Sequence, residues 1–336
     1  DVTGKIQRRS VDNKDIASVM DSTSKVDSDI RRIERFYADF EMNYSLFALI
    51  LALCLPKGKV NVCMDRTEWQ FGDKWHNILA ITVQLGSTSI PIWVEVLDKS
   101  RGTSNCEERK EALKMVFKLL GRKRIRAFFA DREFIGQEWI AYLLHNQIHF
   151  FIRLRNNQYF EYRGKNCQIC KVLKGKKQAL FDDVGIYETR LSLGIFKSET
   201  DQKIVAILTN TTAKRSRKMY KKRWSIEVFF QSIKKRGFNL EQTHMKDPER
   251  IRKLMILASL AFVLSLAIGI YVHCKIKKIP IKKHGYKAVS FARKGIDTIR
   301  ERLKLNQSIK RICNYLFDLI AERWQLYQHQ LLIFVG

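Results

Sequence analysis

The stretch Tyr220–Lys234, YKKRWSIEVFFQSIK, decides how the rest of the chain is read. Wound as a helix at about 100° per residue, it gathers Tyr220, Arg223, Glu227 and Lys234 within an arc of roughly 60°. Met219, Ile226, Phe229, Phe230 and Ile233 fill the adjoining arc of about 100°. One edge therefore seeks a core, and its neighbour presents a phenol, a guanidinium, a carboxylate and an ammonium in a row. A carboxylate flanked by cations suits a metal ligand set among phosphate binders. The plainer alternative is an amphipathic helix with an Arg223–Glu227 ion pair four residues apart, worth only about 0.2–0.5 kcal/mol. The helix by itself favours the plainer reading, and the surrounding chain reverses it.

The chain has 336 residues, with 62 Lys and Arg against 34 Asp and Glu, a net charge of +28. That length suffices for a large core and two or three domains. The charge is spread over most of the chain, so it implies a polyanionic partner rather than a basic tail. Nucleic acid comes first and an anionic membrane second. Seven cysteines, odd in number and scattered, suit a reducing compartment. Cys167 and Cys170 make one CxxC with no second pair at zinc spacing, so they read as ordinary thiols. No signal peptide is visible. The chain opens on Asp1 without an initiator Met, which points to a short portion missing before it. Leu254 to Cys274 carries no charge and is long enough to span a bilayer. Both its flanks are basic, however, and Ser259, Ser265 and Gly269 interrupt it. A helix buried on all sides fits better, and no membrane is expected.

Residues 1–57 read as a helical region. Ser28 or Asp29 is placed to cap a helix through RRIERFYADF, where Arg31, Arg32 and Arg35 cluster. These arginines suit phosphates, or equally a solvated face. Residues 58–154 read as βββ-α-β-α-β. A strand over Val60–Met64 runs into Asp65, strands 75–85 and 90–97 form a hairpin about Gly86–Ser89, and a helix spans Cys106–Leu120. A strand over 125–130 runs into Asp131, followed by a helix at 137–146 and a strand at 149–154. This order predicts a mixed sheet with helices on its faces. Residues 155–203 read as a small β insertion. Residues 204–274 return to the core with a strand at 204–208, a basic linker over Lys214–Lys218, the helix quoted above and the buried segment. Residues 275–336 form a C-terminal helical region.

Two aspartates at strand ends and one glutamate on a later helix are the chemistry-bearing set. Ligands collect at strand ends in mixed sheets. Asp65, Asp131 and Glu227, if they converge, offer oxygen ligands to two hard cations, and such an ion pair serves phosphoryl transfer. With no Cys or His beside them, Mg²⁺ or Mn²⁺ is expected rather than zinc. No GxxxxGK[ST] loop is present, which argues against an NTPase. Glu133 reads as a bystander beside Asp131, and Trp224 as core packing.

Three segments carry a family resemblance: DRTEWQFGDKWHNIL from Asp65, FFADREFIGQEWIAYL from Phe128 and YKKRWSIEVFFQSIKKRGFNLEQTH from Tyr220. In this order they resemble DDE transposases of bacterial insertion sequences, of the insertion-sequence four family. Tyr220, Arg223, Glu227 and Lys234 match that family's Y-(2)-R-(3)-E-(6)-K signature, and the resemblance covers roughly residues 28–272. It implies an α/β fold: a ribonuclease-H-like mixed-sheet core with a β-strand insertion, flanked by N- and C-terminal helical regions. It implies catalysis by Asp65, Asp131 and Glu227 holding two Mg²⁺ or Mn²⁺ ions. By the same resemblance Tyr220, Arg223 and Lys234 would hold phosphates; Arg31, Arg32 and Arg35 are candidates for further DNA contacts on their clustering alone. The implied activity is cleavage of transposon-end DNA and strand transfer into a target, with a hairpin intermediate as one route. An aromatic of the insertion (Tyr159, Phe160, Tyr162, Tyr187 or Phe196) would support a base pulled from the stack. The implied partners are double-stranded DNA and a second copy of the chain, in a bacterial, nucleoid-associated cytoplasmic setting; helices including Leu316–Phe334 offer a dimer contact, with core packing as the plainer alternative. Two further readings share the motifs: an inactive transposase-derived DNA-binding protein, and a structure-selective ribonuclease-H-like nuclease.

Overall fold

The computed structural model describes residues 2–20, 22–97, 102–198, 201–283 and 285–304. Four helices open the chain: α1 (Val2–Arg8), α2 (Asn13–Ala17), α3 (Val26–Asp39) and α4 (Tyr44–Leu53). α3 begins before the expected cap at Ser28 or Asp29; Lys25 occupies the cap position without a side-chain bond. Asp29 instead lies buried within the helix.

Three antiparallel strands follow, β1 (Val60–Phe71), β2 (Lys74–Leu85) and β3 (Thr88–Val96). β1 is far longer than the five residues expected. Its first half pairs in parallel with β4 (Ile125–Ala130), up to Met64↔Ala130. Its second half continues from Asp65↔Ala80 to Phe71↔Lys74 as one arm of a hairpin with β2. The alternation that marks a half-buried strand appears only past Asp65, where Glu68 and Gln70 point outward. Between β3 and β4 runs α5 (Cys106–Leu120), begun by a reciprocal capping box between Asn105 and Glu108 and stopped at Gly121. α6 (Gln137–His145) then leads to β5 (Phe150–Leu154), parallel to β4.

The first five strands lie in the spatial order β3-β2-β1-β4-β5. This is the ribonuclease-H-like mixed sheet implied by the family resemblance. β6 (Tyr159–Tyr162), β7 (Lys165–Gln168), β8 (Gln178–Ile186), β9 (Thr189–Lys197) and β10 (Ile204–Thr209) do not form a separate unit. β10 pairs antiparallel with β5, and β9, β8, β6 and β7 extend the same sheet to ten strands. Apolar residues alternate along β8 and β9, but nothing local to them states which strand they will join.

The basic run expected as a linker folds as α7 (Ala213–Tyr220). Ala213, Ser216 and Met219 recur every third residue and are its buried face, so the cations stay on the other side. Gly194 of β9 is required there: a Cβ at that position would stand 2.1 Å from Ser216 Oγ. A tight 3₁₀ turn at Lys221–Arg223 connects to α8 (Trp224–Gln231), which widens into a π turn at Ser232–Arg236. Ile226, Phe229, Phe230 and Ile233 are buried, as the helical arc predicts.

α9 (Pro248–Tyr271) contains the uncharged segment. With its terminal turn it is, among the described residues, the one helix long and apolar enough to cross a membrane, yet it lies mostly inside the fold. It packs against α1, α3, α4, β3 and α10 (Phe291–Lys304), which explains its apolar residues on every side. The α9–α10 crossing brings backbone against backbone. A Cβ on Gly295 would meet Ser265 O at 1.7 Å, and one on Gly269 would meet Phe291 O at 1.8 Å. The expected dimer contact at Leu316–Phe334 lies outside the described residues.

Candidate active site

Asp65 stands where β1 leaves its parallel neighbour, and Asp131 directly follows β4, the strand it leaves. The sheet thus delivers both aspartates to the same edge. α8 crosses beneath: buried Ser89 on β3 donates its hydroxyl to Ser225 O at 3.0 Å. Buried Cys63 lies 3.8 Å from the Ser225 hydroxyl, and Phe229 meets Phe262 of α9 edge-on at 5.4 Å. These contacts fix α8 and turn Arg223 and Glu227 toward Asp65.

The Arg223 guanidinium bridges two of the three carboxylates. Nη1 donates to Asp65 Oδ2 at 2.7 Å, and Nη2 donates to Glu227 Oε1. Tyr220 adds Asp131 by donating its hydroxyl to Oδ1 at 3.3 Å, and its ring faces the guanidinium at 5.6 Å. Three acids, 65, 131 and 227, are therefore tied to one Tyr220–Arg223 unit. The side chains of Arg223 and Asp65 are only 11% and 16% exposed, so this is a partly desolvated cluster rather than a surface pair.

Burial pushes the Asp65 carboxyl up to about 6, against the opposing pull of Arg223 and the Arg66 amide; Asp131 and Glu133 push it further up. Burial acts to lower the Arg223 value, but Tyr220 and the carboxylates at 65, 131 and 227 outweigh it and hold the guanidinium charged. Burial also raises the Tyr220 phenol well above its ordinary value, so it remains a donor. The Cys63 thiol, pushed up to about 12 by burial, is inert packing behind Asp65.

No group of three or more His, Cys, Asp or Glu side chains stands at metal-binding spacing among the described residues. The donor chemistry nevertheless fits a hard cation, because Asp65 and Glu227 already share a positive group between them. That group is the guanidinium.

Lys234 lies one step along the same edge. Its ammonium pairs with Glu241 at 2.7 Å, donates to Glu68 O at 3.1 Å and sits 5.6 Å over the Trp69 ring. Of the expected phosphate-binding residues, Tyr220 and Arg223 stand together, Lys234 is held beside Glu68 and Glu241, and each is engaged by an internal partner. Arg31, Arg32 and Arg35 are exposed on α3. Arg31 and Arg35 line a groove of about 1170 Å³ facing His244, Lys246 and Arg250. Of the insertion aromatics, Phe160 and Phe196 are core residues and Tyr159 is exposed. Phe196 also borders a cavity of about 300 Å³ beside Tyr220, Arg217 and Lys221.

A family model described as "Transposase DDE domain" matches residues 56–264. The chain belongs to the DDE transposase family. All three carboxylates lie inside the matched span of this transposase. Among solved structures, a cryo-EM structure of a piggyBac transposase synaptic complex with hairpin DNA is similar at 16% identity. That match covers 96% of this chain and 74% of the other, with a TM-score of 0.48. No curated protein matches the chain.

Three features of this transposase escaped the sequence reading. Trp224, expected in the core, is 57% exposed beside Arg223, because on the helix it falls on the side opposite the buried arc of Ile226, Phe229, Phe230 and Ile233. Glu133 is no bystander: both its oxygens are held by Arg66. Buried Arg109 of α5 donates to Glu133 O at 3.0 Å and to Ile135 O at 3.4 Å, which anchors the Asp131 loop. The available signals were the helical position of Trp224, opposite the buried arc, and the adjacency of Arg66 to Asp65 and of Glu133 to Asp131.

Proposed function

We propose that this transposase belongs to the insertion-sequence four group and performs cut-and-paste DNA transposition, with the Y-R-E-K row as its working edge. The observation that carries the reading is the Arg223 guanidinium held jointly by Asp65 and Glu227, with Asp131 joined through Tyr220. Carboxylates so far apart in sequence gain nothing from desolvation around one arginine as a stability device; a similar apolar cluster would serve folding at least as well.

Asp65, Asp131 and Glu227 would hold two Mg²⁺ or Mn²⁺ ions. When bound, such ions polarise the phosphoryl group and stabilise the leaving oxygen. The chain's own residues position the DNA. Arg223 exchanges its carboxylate partners for the oxygens of a phosphate, which its planar fork grips bidentately. Lys234 moves from Glu241 to a neighbouring phosphate as a point charge, and the neutral Tyr220 hydroxyl donates to a third oxygen. The exposed Trp224 indole offers a base a stacking face next to the cut. The groove beneath Arg31 and Arg35, with Arg32 alongside, carries the duplex away from the site. A homodimer holding paired ends is part of the same proposal, as is a nucleoid-associated cytoplasmic setting.

The test is a labelled transposon end incubated with the purified protein and Mg²⁺. The expected result is nicking at the end, lost in Asp65→Ala, Asp131→Ala and Glu227→Ala while end binding persists. Sequence-independent cutting of branched or hybrid substrates would favour a structure-selective nuclease instead. Binding without cutting in either metal would favour an inactive derivative.

A further inference from the structure

Two side chains next to the proposed ligands, Arg66 and Glu133, are engaged in a way no metal-ligand role explains. Arg66 Nε reaches Glu133 Oε1 at 3.2 Å, and Arg66 Nη2 reaches Oε2 at 3.3 Å. This is a parallel two-bond fork, the geometry that fixes orientation as well as distance. The third nitrogen, Nη1, donates to Glu68 Oε2 at 2.8 Å and to Asn77 Oδ1 at 2.9 Å. Asn77 is fully buried on β2 and donates in turn to Gly102 O at 3.0 Å. The guanidinium is thus locked from three directions and has no freedom to turn toward DNA.

Glu133 is equally constrained. Both carboxylate oxygens face Arg66, and its backbone oxygen is held by buried Arg109, whose guanidinium also stacks 5.2 Å from the Phe134 ring. Phe134 N closes the turn onto Asp131 O at 3.0 Å. Asp65 and Asp131 lie on different strands, and past Met64↔Ala130 no ladder bond joins those strands. The Arg66–Glu133 fork bridges that opening at the level of the two acids. On the Asp65 side the connection is immediate, because the Arg66 amide donates to Asp65 Oδ1 at 2.9 Å.

We infer that Arg66 and Glu133 are paired positioning residues: their fork sets the separation of Asp65 and Asp131 and so the spacing of the metal-binding pair. The inference rests on the proposed role of the two aspartates. It also explains why Asp131, and not Glu133, is free to serve as a ligand. Outer partners of metal ligands are worth about 10–100-fold in metal affinity or activity.

The experiment is a double-mutant cycle of Arg66→Met and Glu133→Gln. It is read by single-turnover end cleavage and by Mn²⁺ binding to the protein–DNA complex in electron paramagnetic resonance, with Asp131→Ala as control. Each single variant should lose about 10–100-fold in cleavage and weaken Mn²⁺ binding by about tenfold. The double variant should lose no more than either single one, because a broken fork cannot be broken twice. Arg66→Lys, which keeps the charge without the fork, should fall between wild type and Arg66→Met. It serves as the second probe if a cycle member folds poorly by circular dichroism. Wild-type rates and Mn²⁺ affinity in the pair variants, with Asp131→Ala inactive, would overturn this inference alone. Multiplying losses in the double variant would do the same, since they would mean independent roles. An active Asp131→Ala would instead overturn the reading of the site.

Discussion

Replacing Arg223 by Met keeps most of the stem's volume and removes the charge shared by Asp65 and Glu227. Asp65 is already held at about 6, above its ordinary 3.8, with Arg223 the first influence opposing burial. A raised acid is favoured in its protonated form by the folded state, so its contribution to stability falls as pH climbs from about 4 to 6. That rise corresponds to roughly 3 kcal/mol. Without Arg223 the folded value rises further, and the decline continues above pH 6. At pH 8 the variant leaves buried carboxylates without their cation, a loss of about 3–5 kcal/mol. At pH 5 Asp65 is mostly protonated in both proteins, so the loss shrinks to about 1–2 kcal/mol, the remaining contacts with Glu227 and the Tyr220 ring. For a chain of this size the pH 8 loss lowers the melting temperature by about 4–7 °C. Thermal unfolding of both proteins at pH 5 and pH 8 measures the difference. Millimolar Mn²⁺ should restore more of the loss in the variant than it adds to wild type, because a cation then replaces the guanidinium. The same destabilisation at both pH values would refute the reasoning, since the pair would then contribute through packing rather than charge.

Trp224→Ala should leave melting unchanged, because the indole is exposed, yet weaken end-DNA binding by about 1–3 kcal/mol; titration of a fluorescent end at two salt concentrations checks it. Replacing Arg31, Arg32 and Arg35 together by Ala should reduce the slope of log affinity against log salt by about two to three, each lost phosphate contact counting for roughly 0.9. An unchanged slope would remove α3 from the DNA path. Gly295→Ala forces a Cβ to within 1.7 Å of Ser265 O, so α10 must shift off α9. The expected cost is about 3 kcal/mol, visible in denaturant unfolding. Asp65→Asn should flatten the pH dependence of stability between about 4 and 6, because the group responsible for that slope is gone.

Local order was legible in the residues. The Cys106–Leu120 helix, its stop at Gly121, the three-strand meander and the buried arc of Ile226, Phe229, Phe230 and Ile233 all follow from periodicity and capping within a few turns of chain. Spacing alone put Arg223 and Glu227 on one edge. The order of the motifs supplied the candidates at 65 and 131. What periodicity does not carry is the partner of a strand or the state of a side chain. The continuation of β1 past Asp65 depends on β2 offering a hairpin arm, and the insertion strands joined the main sheet because β10 left an edge open. Lys214–Lys218 became helical through burial of Ala213, Ser216 and Met219 against β9. Arg223 standing between Asp65 and Glu227 and Arg66 locking Glu133 are likewise contacts that join segments far apart in sequence. Such contacts arise from desolvation and charge pairing that exist only once the sheet has closed.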